Sequence, residues 1–306
     1  MKFDSIVGHV ACATTYVIFG FNIVLCRDIA VEGGMSAITI LTIRCAVAAA
    51  LFWLVSLFLG RERVAKGDLL RIFGASLLGI FLPQLTFLKA IASTTPVDLS
   101  IVNSITPILT MLFALVFLGE PITWRKVFGV VMSFGGVVWL ILQSVAMGGG
   151  ASETKPVGVL FCIANSTVFA LYLSTCRPLV KRYSSVTLMK WMFLFAFLVS
   201  LPLSVPSTRV TDFGCVPVRV WWEMGYLVFF ATFVAYFLIP VGQQRIRPTL
   251  VSMYGYVQPI IAISVGIMAG MDRLTLTKLV AAVLVFAGVA VVNKSRSADD
   301  GNVVKT

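Results

Sequence analysis

The stretch ITPILTMLFALVFLGEPITWRK occupies residues 105–126, and VQPIIAISVGIMAGMDRLTLTK occupies residues 257–278. Each has a proline near the start of an apolar run and then reaches an acidic residue, a threonine and a lysine. All four matched pairs are 152 residues apart: Pro107 and Pro259, Glu120 and Asp272, Thr123 and Thr275, Lys126 and Lys278. Because a proline costs a helix interior about 3 kcal/mol, its appearance twice in the same setting indicates a duplicated element.

The composition identifies an integral membrane protein. Only 12% of the 306 residues are charged and 59% are hydrophobic, whereas a soluble domain carries roughly 25% charged residues. The apolar runs are long enough for membrane-spanning helices, which need about 20 residues each. They lack the alternation of outer-membrane barrel strands. We therefore expect an all-α protein that crosses the membrane several times.

Hydropathy predicts ten spans in two sets of five. Their ranges are 6–26, 36–59, 68–90, 96–118, 124–142, 157–178, 185–205, 222–244, 248–270 and 275–293. The polar segment GGGASETKP, residues 148–156, separates the fifth span from the sixth. We expect a first repeat over 1–147, this linker at 148–156, a second repeat over 157–293 and a disordered cytoplasmic tail over 294–306.

The distribution of basic residues predicts the orientation. The amino terminus, the even-numbered loops and the carboxyl terminus together hold fifteen Lys and Arg, whereas the odd-numbered loops hold seven. Positive residues concentrate on the cytoplasmic side. Both termini are therefore expected in the cytoplasm.

Further matches extend the repeat. FGFNIVLCR (19–27) aligns with FALYLSTCR (169–177), and SAITIL (36–41) aligns with SSVTLM (184–189). Since each copy holds five spans, the second copy has to enter the membrane from the opposite side. Such inverted repeats are typical of transporters with a site near the midplane. The competing explanation is that apolar helices resemble one another by composition alone.

The first repeat resembles the EamA repeat of the drug/metabolite transporter superfamily. The resemblance rests on Pro107, Gly119, Glu120, Gly129 and Gly136; the second copy matches more loosely, at Pro259, Asp272 and Gly288. It implies a ten-helix secondary transporter that works by alternating access. Its central cavity would be lined mainly by spans 1, 3, 4, 6, 8 and 9. It also implies export of amino acids or related metabolites and a place in a bacterial inner (plasma) membrane.

The prolines predict how such a cavity opens. Pro107 and Pro259 lie eleven or twelve residues into their spans, so both are expected to kink a helix near the midplane and to act as hinges. A static kink that improves packing is the alternative. Pro83 and Pro240 lie close to equivalent positions in spans 3 and 8. Glu120 and Asp272 are expected to cap the helices that follow them or to meet a loop lysine.

Polar side chains within the spans are the candidate substrate contacts, because polar groups in a membrane are costly and commonly functional. Hydrogen bonding between helices is the competing role. The neutral candidates are Tyr16, Asn22, Gln84, Asn103, Asn165, Tyr172, Tyr236, Gln243, Tyr254 and Gln258, and the charged candidates are Arg44 and Lys89. Lys190 is expected to extend to the membrane surface, and His9 to lie at the interface.

The expected distribution of carboxylates argues against one transport mechanism. All thirteen acidic residues are predicted to lie in loops, tails or the first turn of a span. A carrier that exchanges lipophilic cations for protons needs a carboxylate inside the membrane. The sequence therefore favours an amino acid or a similar small polar solute. The main alternative is a carrier of sugars, nucleotide sugars or phosphorylated metabolites.

Other classes of protein fit poorly. The basic residues are scattered through short loops, which excludes a nucleic-acid interface. One histidine and no C-x-x-C motif predict no metal site and no cofactor. The chain contains neither G-x-S-x-G nor H-E-x-x-H, so we do not expect an enzyme. The G-x-x-x-G at Gly266–Gly270 is compatible with a monomer or a homodimer.

Overall fold

The computed structural model describes residues 2–59, 62–118, 124–146, 154–211, 213–246, 251, 254–270 and 275–293. Within these ranges the chain is helical and contains no strand. Seven helical stretches are long and apolar enough to cross a membrane: Ile6–Glu32, Ala37–Phe58, Lys66–Ile91, Pro96–Phe113, Pro156–Thr175, Ser185–Thr208 and Val218–Arg245. Val127–Trp139 and Leu276–Gly288 are shorter apolar helices. The expected tail, most of the linker, and the predicted caps Glu120 and Asp272 lie outside the described residues.

Individual helices follow the predicted spans, with several spans divided. The bounds are α1 Lys2–Glu32, α2 Ala37–Phe58, α3 Lys66–Ser76, α4 Leu82–Ile91, α5 Pro96–Asn103, α6 Thr106–Leu118, α7 Trp124–Ala146, α8 Pro156–Thr175, α9 Arg177–Arg182, α10 Ser185–Val210, α11 Val218–Val228, α12 Ala235–Arg245, α13 Val257–Met268 and α14 Leu276–Asn293.

The third and eighth spans are each built around a π-helical turn. Leu77–Phe81 joins α3 to α4, and Phe229–Val234 joins α11 to α12. The starts of α3 and α11 are 152 residues apart, and so are the starts of the two π turns. Pro83 and Pro240 do not follow this register: they are 157 residues apart, so the expectation that they are near-equivalent is wrong by more than one helical turn.

The fourth span is broken rather than kinked. α5 ends at Asn103 and α6 begins at Thr106, so Pro107 is the second residue of a new helix. A proline fits there because the first turn needs no backbone donor. The Thr106 hydroxyl donates to the Asn103 carbonyl at 2.7 Å, which satisfies one of the carbonyls at the break. Pro259 likewise lies in the first turn of α13, after the 3₁₀ turn Tyr254–Tyr256.

Helix packing joins the two halves of the chain. α1 packs against α12 and α13, and α8 packs against α4 and α6. These sets correspond under the repeat, because α1 matches α8 while α4 and α6 match α12 and α13. Each of the remaining long helices meets its own counterpart, α2 with α10 and α7 with α14.

Helices α7 and α14 cross antiparallel. The Ser133 hydroxyl donates to the Val285 carbonyl at 3.0 Å, and these residues are 152 apart in sequence. A Cβ atom on Gly136 would lie 2.9 Å from the Ala281 carbonyl oxygen, and one on Gly288 would collide with Gly129 and Ser133. Residues later in α7 thus meet residues earlier in α14. The missing side chains allow the two backbones to approach closely.

A second pair of glycines makes equivalent close contacts. A Cβ atom on Gly8 would lie 2.9 Å from the Arg245 Cβ, and one on Gly158 would lie 2.7 Å from the Ser93 carbonyl oxygen. Gly158 follows Gly8 by 150 residues, and Arg245 follows Ser93 by 152. The same helix contact is therefore made twice, once from each half.

The start of α10 is fixed by a carboxylate from the loop before α3. Glu62 accepts hydrogen bonds from the Ser184 backbone nitrogen at 3.2 Å and from the Ser184 hydroxyl at 2.6 Å. Burial opposes ionisation of Glu62, but the hydrogen bonds from Ser184 and Thr187 and the charge of Lys190 outweigh it and lower its pKa. This contact ties the first half of the chain to the second.

Candidate functional site

A cavity of about 700 Å³, part of it open to solvent, lies among α1, α2, α4, α5, α6, α8, α12 and α13. Its lining is Tyr16, Phe19, Asn22, Ile23, Arg44, Pro83, Gln84, Phe87, Asn103, Thr106, Asn165, Phe169, Tyr236, Gly255 and Gln258.

Equivalent residues of the two copies meet in this lining. Four pairs contribute both members: Phe19 and Phe169 at 150 residues apart, and Gln84 and Tyr236, Asn103 and Gly255, and Thr106 and Gln258 at 152 apart. The cavity is thus formed from corresponding stretches of both halves. The side chains differ within three of these pairs, so the cavity presents different chemistry to its two sides.

Arg44 is the cation in the described lining, and it is 2% exposed. Its Nε donates to the Thr232 hydroxyl at 2.8 Å and its Nη2 to the Ala231 carbonyl at 3.4 Å. Nη1 has a long contact of 3.8 Å with the Cys26 Sγ. In the part of the chain that the structure describes, no Asp or Glu forms an ion pair with Arg44.

The π turn after α11 supplies these partners. Its wider winding lets the Thr232 hydroxyl donate to the Leu227 carbonyl, five residues earlier, at 2.7 Å. Thr232 can then accept a hydrogen bond from Arg44. A neutral hydroxyl and a neutral carbonyl hold the guanidinium in place without neutralising its charge.

Three of the lining amides are held by neighbouring groups. The Asn165 amide nitrogen donates to the Pro83 carbonyl at 2.6 Å, and the Asn103 side-chain oxygen accepts from the Ser166 hydroxyl at 3.1 Å. The Asn22 side-chain oxygen accepts from the Cys26 thiol at 3.4 Å. Each of these asparagines is therefore oriented before any solute binds.

Gln84 differs from those amides. It is 3% exposed, and neither its side-chain oxygen nor its nitrogen makes a hydrogen bond of good geometry within the described residues, although the Tyr236 hydroxyl lies nearby. Leaving a buried amide without partners costs about 1–3 kcal/mol. Such a group in a cavity wall is well suited to receive a polar ligand.

Aromatic rings form another part of the wall. The Phe19 ring lies 6.1 Å from that of Tyr16 and 5.8 Å from that of Tyr236, both edge to face. Phe87 and Phe169 also line the cavity. A solute here would meet apolar ring surface around a few fixed polar groups, the usual composition of a small-molecule site.

Eight of the twelve predicted substrate contacts line the cavity: Tyr16, Asn22, Arg44, Gln84, Asn103, Asn165, Tyr236 and Gln258. Their contact with a substrate stays a prediction.

The other four lie outside this lining. Tyr172 packs against Gly79, and Gln243 is buried in α12. The Tyr254 hydroxyl lies 2.8 Å from the His9 ring nitrogen, and Lys89 lies over the Phe161 ring, 5.5 Å from its centroid.

The apolar and small residues of the lining were not among the predicted contacts. Phe19, Ile23, Phe87, Thr106, Phe169 and Gly255 carry no membrane-embedded charge or amide that would mark them. A signal was present for two of them, because Phe19 and Phe169 open the matched segments FGFNIVLCR and FALYLSTCR.

The expectation that every acid lies in a loop, a tail or the first turn of a span is wrong at two buried residues. Asp28 lies within α1, which extends to Glu32, and Glu223 is the sixth residue of α11. They are 7% and 8% exposed. Hydropathy ends a predicted span at a charged residue, whereas in the structure Arg219 pairs with both acids between the two helices. Neither residue lines the cavity.

The described residues contain no group of three or more His, Cys, Asp or Glu that could hold a metal ion.

Comparison with known proteins identifies the chain's relatives. The sequence model of the EamA-like transporter family matches residues 6–142 and again 156–294. "Uncharacterized transporter YyaM" of Bacillus subtilis is 22% identical over 80% of this chain and 81% of its own length. An "Uncharacterized transporter" of Archaeoglobus fulgidus is 24% identical over 86% and 90%.

"Protein PecM" of Dickeya dadantii is 23% identical over 78% of each chain. A crystal structure of another protein superposes with a TM-score of 0.63 at 18% identity, covering 92% of this chain and 98% of that one. That similarity shows a shared fold.

Proposed function

The chain belongs to the EamA-like transporter family, and on that premise we propose that it exports amino acids or related small polar metabolites by alternating access. The proposed setting is the inner membrane of a bacterium. The proposed architecture has ten spans, in two inverted sets of five, with both termini in the cytoplasm.

The uncompensated charge of Arg44 is the observation that carries the substrate proposal. A buried charge without a counter-ion is costly, and a carboxylate that pairs with it would offset that cost. The guanidinium suits carboxylates in particular because its fork can donate two parallel hydrogen bonds. Every amino acid brings such a carboxylate.

The remaining lining suits the rest of an amino acid. The side-chain oxygens of Gln84, Asn22 and Asn103 are neutral acceptors that can face an ammonium group. None of the described lining residues is an acid. A solute with a positive charge alone would meet Arg44 without compensation, whereas a zwitterion would not.

The small number of cations in the described lining makes phosphorylated sugars and nucleotide sugars less favourable substrates. Sugar phosphates and nucleotide sugars carry phosphate groups that are usually held by several Lys and Arg. Among the described residues, Arg44 lines the cavity, while Lys89 is exposed and Lys190 lies over the Trp53 ring at 5.0 Å. One cation fits one carboxylate better than a phosphate.

The packing of the two halves supports the proposed inversion. The antiparallel crossing of α7 and α14 at Ser133 and Val285 is the contact that a pair of upside-down copies makes on its symmetry axis. Inverted copies can exchange conformations, which opens the same cavity to alternate sides of the membrane. The helix break before Pro107 and the 3₁₀ turn before Pro259 are the proposed hinges. A helix that is already interrupted can bend at that point without breaking further backbone hydrogen bonds.

Counterflow in liposomes tests the substrate proposal. Purified protein would be reconstituted, the liposomes preloaded with unlabelled amino acids, and the entry of a labelled amino-acid panel measured. We expect saturable exchange for at least one amino acid. No saturable flux for any of them, with flux of a sugar phosphate instead, would establish the alternative.

Arg44→Met isolates the role of the guanidinium. Methionine stands at the equivalent position of the second half, Met192, and replacing a buried charge by an apolar residue of similar length is often tolerated. Loss of a charged hydrogen bond of about 1.5–3 kcal/mol should weaken apparent affinity roughly 10- to 100-fold. Lys89→Met, which removes a cation outside the cavity, should leave exchange unchanged. Equal exchange by both variants would contradict the proposed role of Arg44 in binding the substrate carboxylate.

A further inference from the structure

Asp28, Arg219 and Glu223 form a charged cluster between the two halves, away from the cavity. The Arg219 Nη2 lies 2.5 Å from the Asp28 Oδ2, and the Arg219 Nε lies 2.9 Å from the Glu223 Oε1. The side chains of both acids are 9% exposed, while that of Arg219 is 68% exposed. Two buried carboxylates therefore share one guanidinium.

One carboxylate oxygen of this cluster has no hydrogen-bond donor among the described residues. The Glu223 Oε2 atom is buried and has no hydrogen-bond partner within the described residues. The Asp28 carboxyl group interacts with Glu223, but two ionised carboxylates cannot donate to one another. A single proton would supply the missing donor and would cancel the excess negative charge.

The other charges on the packed helices α1, α2 and α11 do not supply that compensation. From α1 the charged residue beyond Asp28 is Glu32, a further acid, and α11 contributes Arg219 and Glu223. α2 also packs against α11, and its one charged residue is Arg44, which binds Thr232 in the following π turn. The Arg27 guanidinium points to the Ile91 carbonyl at 2.9 Å.

The cluster lies beyond one end of the cavity and does not line it. Asn22 of the lining precedes Asp28 by six residues, about 9 Å along a helix. Ala231, which binds Arg44, follows Glu223 by eight residues, about 12 Å along a helix. Because α1 belongs to the first half and α11 to the second, the cluster clamps the halves together at this end.

The opposite clamp provides a contrast. Asp68 at the start of α3 accepts a hydrogen bond from the Tyr183 hydroxyl at 2.7 Å and pairs with Arg182 at 2.8 Å and Arg71 at 3.2 Å. One carboxylate there has two cations and a hydroxyl. It has donors in excess and gains nothing from a proton.

We propose that Asp28, Arg219 and Glu223 form a proton-binding site that couples export to proton entry. The coupling rests on the proposed function, whereas the proton binding does not. One proton adds to the Glu223 carboxylate, and the new O–H donates to Asp28. The ion pair with Arg219 is then weakened, which releases the clamp, and deprotonation restores it.

Infrared spectroscopy tests proton binding without any substrate. Spectra of the protein in lipid would be recorded between about pH 5 and about pH 9, where ordinary carboxyls are ionised. We expect a carboxylic-acid carbonyl band that decreases as the pH rises, is lost in Glu223→Gln and is retained in Asp68→Asn. Asp28→Asn, which removes the proposed acceptor, should shift the band. Identical bands in wild type and Glu223→Gln would overturn the proposal.

A transport assay distinguishes proton coupling from proton binding. In acid-inside liposomes, a pH difference of about one unit should drive roughly tenfold accumulation of the labelled amino acid if one proton is exchanged per solute. Glu223→Gln should lose this accumulation but keep counterflow, which also shows that the variant is folded. Accumulation by the wild type that does not depend on the pH difference would overturn the proposed coupling. Absence of counterflow in the wild type would instead contradict the proposed function, and the infrared result would still decide the proton site.

Discussion

Gln84 and Gln244 carry the same side-chain amide, but the two amides differ in their hydrogen bonding. The Gln84 amide lacks hydrogen bonds within the described residues, whereas the Gln244 amide nitrogen donates to the Val180 carbonyl at 2.9 Å and to the Tyr183 carbonyl at 3.1 Å. The first is poised to bind a solute, and the second holds α12 to the segment around α9.

The same substitution should therefore have opposite effects at these two residues. Gln84→Leu removes an unsatisfied amide and should raise the thermal unfolding temperature in detergent, while reducing the stabilisation that a transported amino acid provides. Gln244→Leu should lower the free energy of unfolding by about 1–3 kcal/mol. A lower unfolding temperature for Gln84→Leu would show that its amide is satisfied in the folded protein.

Single residues also mark how far the sequence predicts the site. Depth in the membrane and polar chemistry were enough to select Arg44, Gln84 and Asn103 as candidates. They could not separate Gln84 from Gln243 or Tyr236 from Tyr172, because the direction of a side chain depends on which helix packs beside it. Phe19 and Phe169 carry no polar signal at all.

At the level of elements, the crossing of α7 and α14 depends on the absence of side chains on one face. A Cβ atom on Gly136 would lie 2.9 Å from a backbone oxygen of Ala281, whereas one on Gly135 would have nothing within 4 Å. We expect Gly136→Leu to reduce the yield of folded protein severalfold in size-exclusion chromatography, because backbone cannot move aside. Gly135→Leu is the matched control and should behave like wild type. Normal folding of both variants would contradict the close crossing.

The limits of helices were predictable where composition changes and not where charges pair. Ala37–Phe58 follows the expected span because Ser36 caps its start and a polar loop follows. α1 and α11 extend past their predicted ends because Asp28, Arg219 and Glu223 compensate one another across 191 and four residues of sequence. The π turns carry no local sequence signal. They are seen only in the folded backbone, where they recur 152 residues apart.

At the scale of the whole molecule, the two halves share a cavity and differ at its ends. One clamp has two acids for one cation, and the other has two cations for one acid. In the proposed cycle, protonation therefore acts on one end alone, and the proton gradient sets the direction of transport. The repeat itself was evident from the sequence, whereas the clamps needed the packed structure.

The inverted arrangement is the claim on which alternating access depends, and one labelling experiment tests it. Cys215 is exposed in the segment before α11, and the position 152 residues earlier is Arg63, exposed in the segment before α3. Cys215 would be compared with Arg63→Cys in a Cys215→Ser background, using a membrane-impermeant maleimide on spheroplasts. We expect Cys215 to be labelled at once and the cysteine at position 63 to be labelled only after permeabilisation. Labelling of both from the same side of the membrane would contradict it.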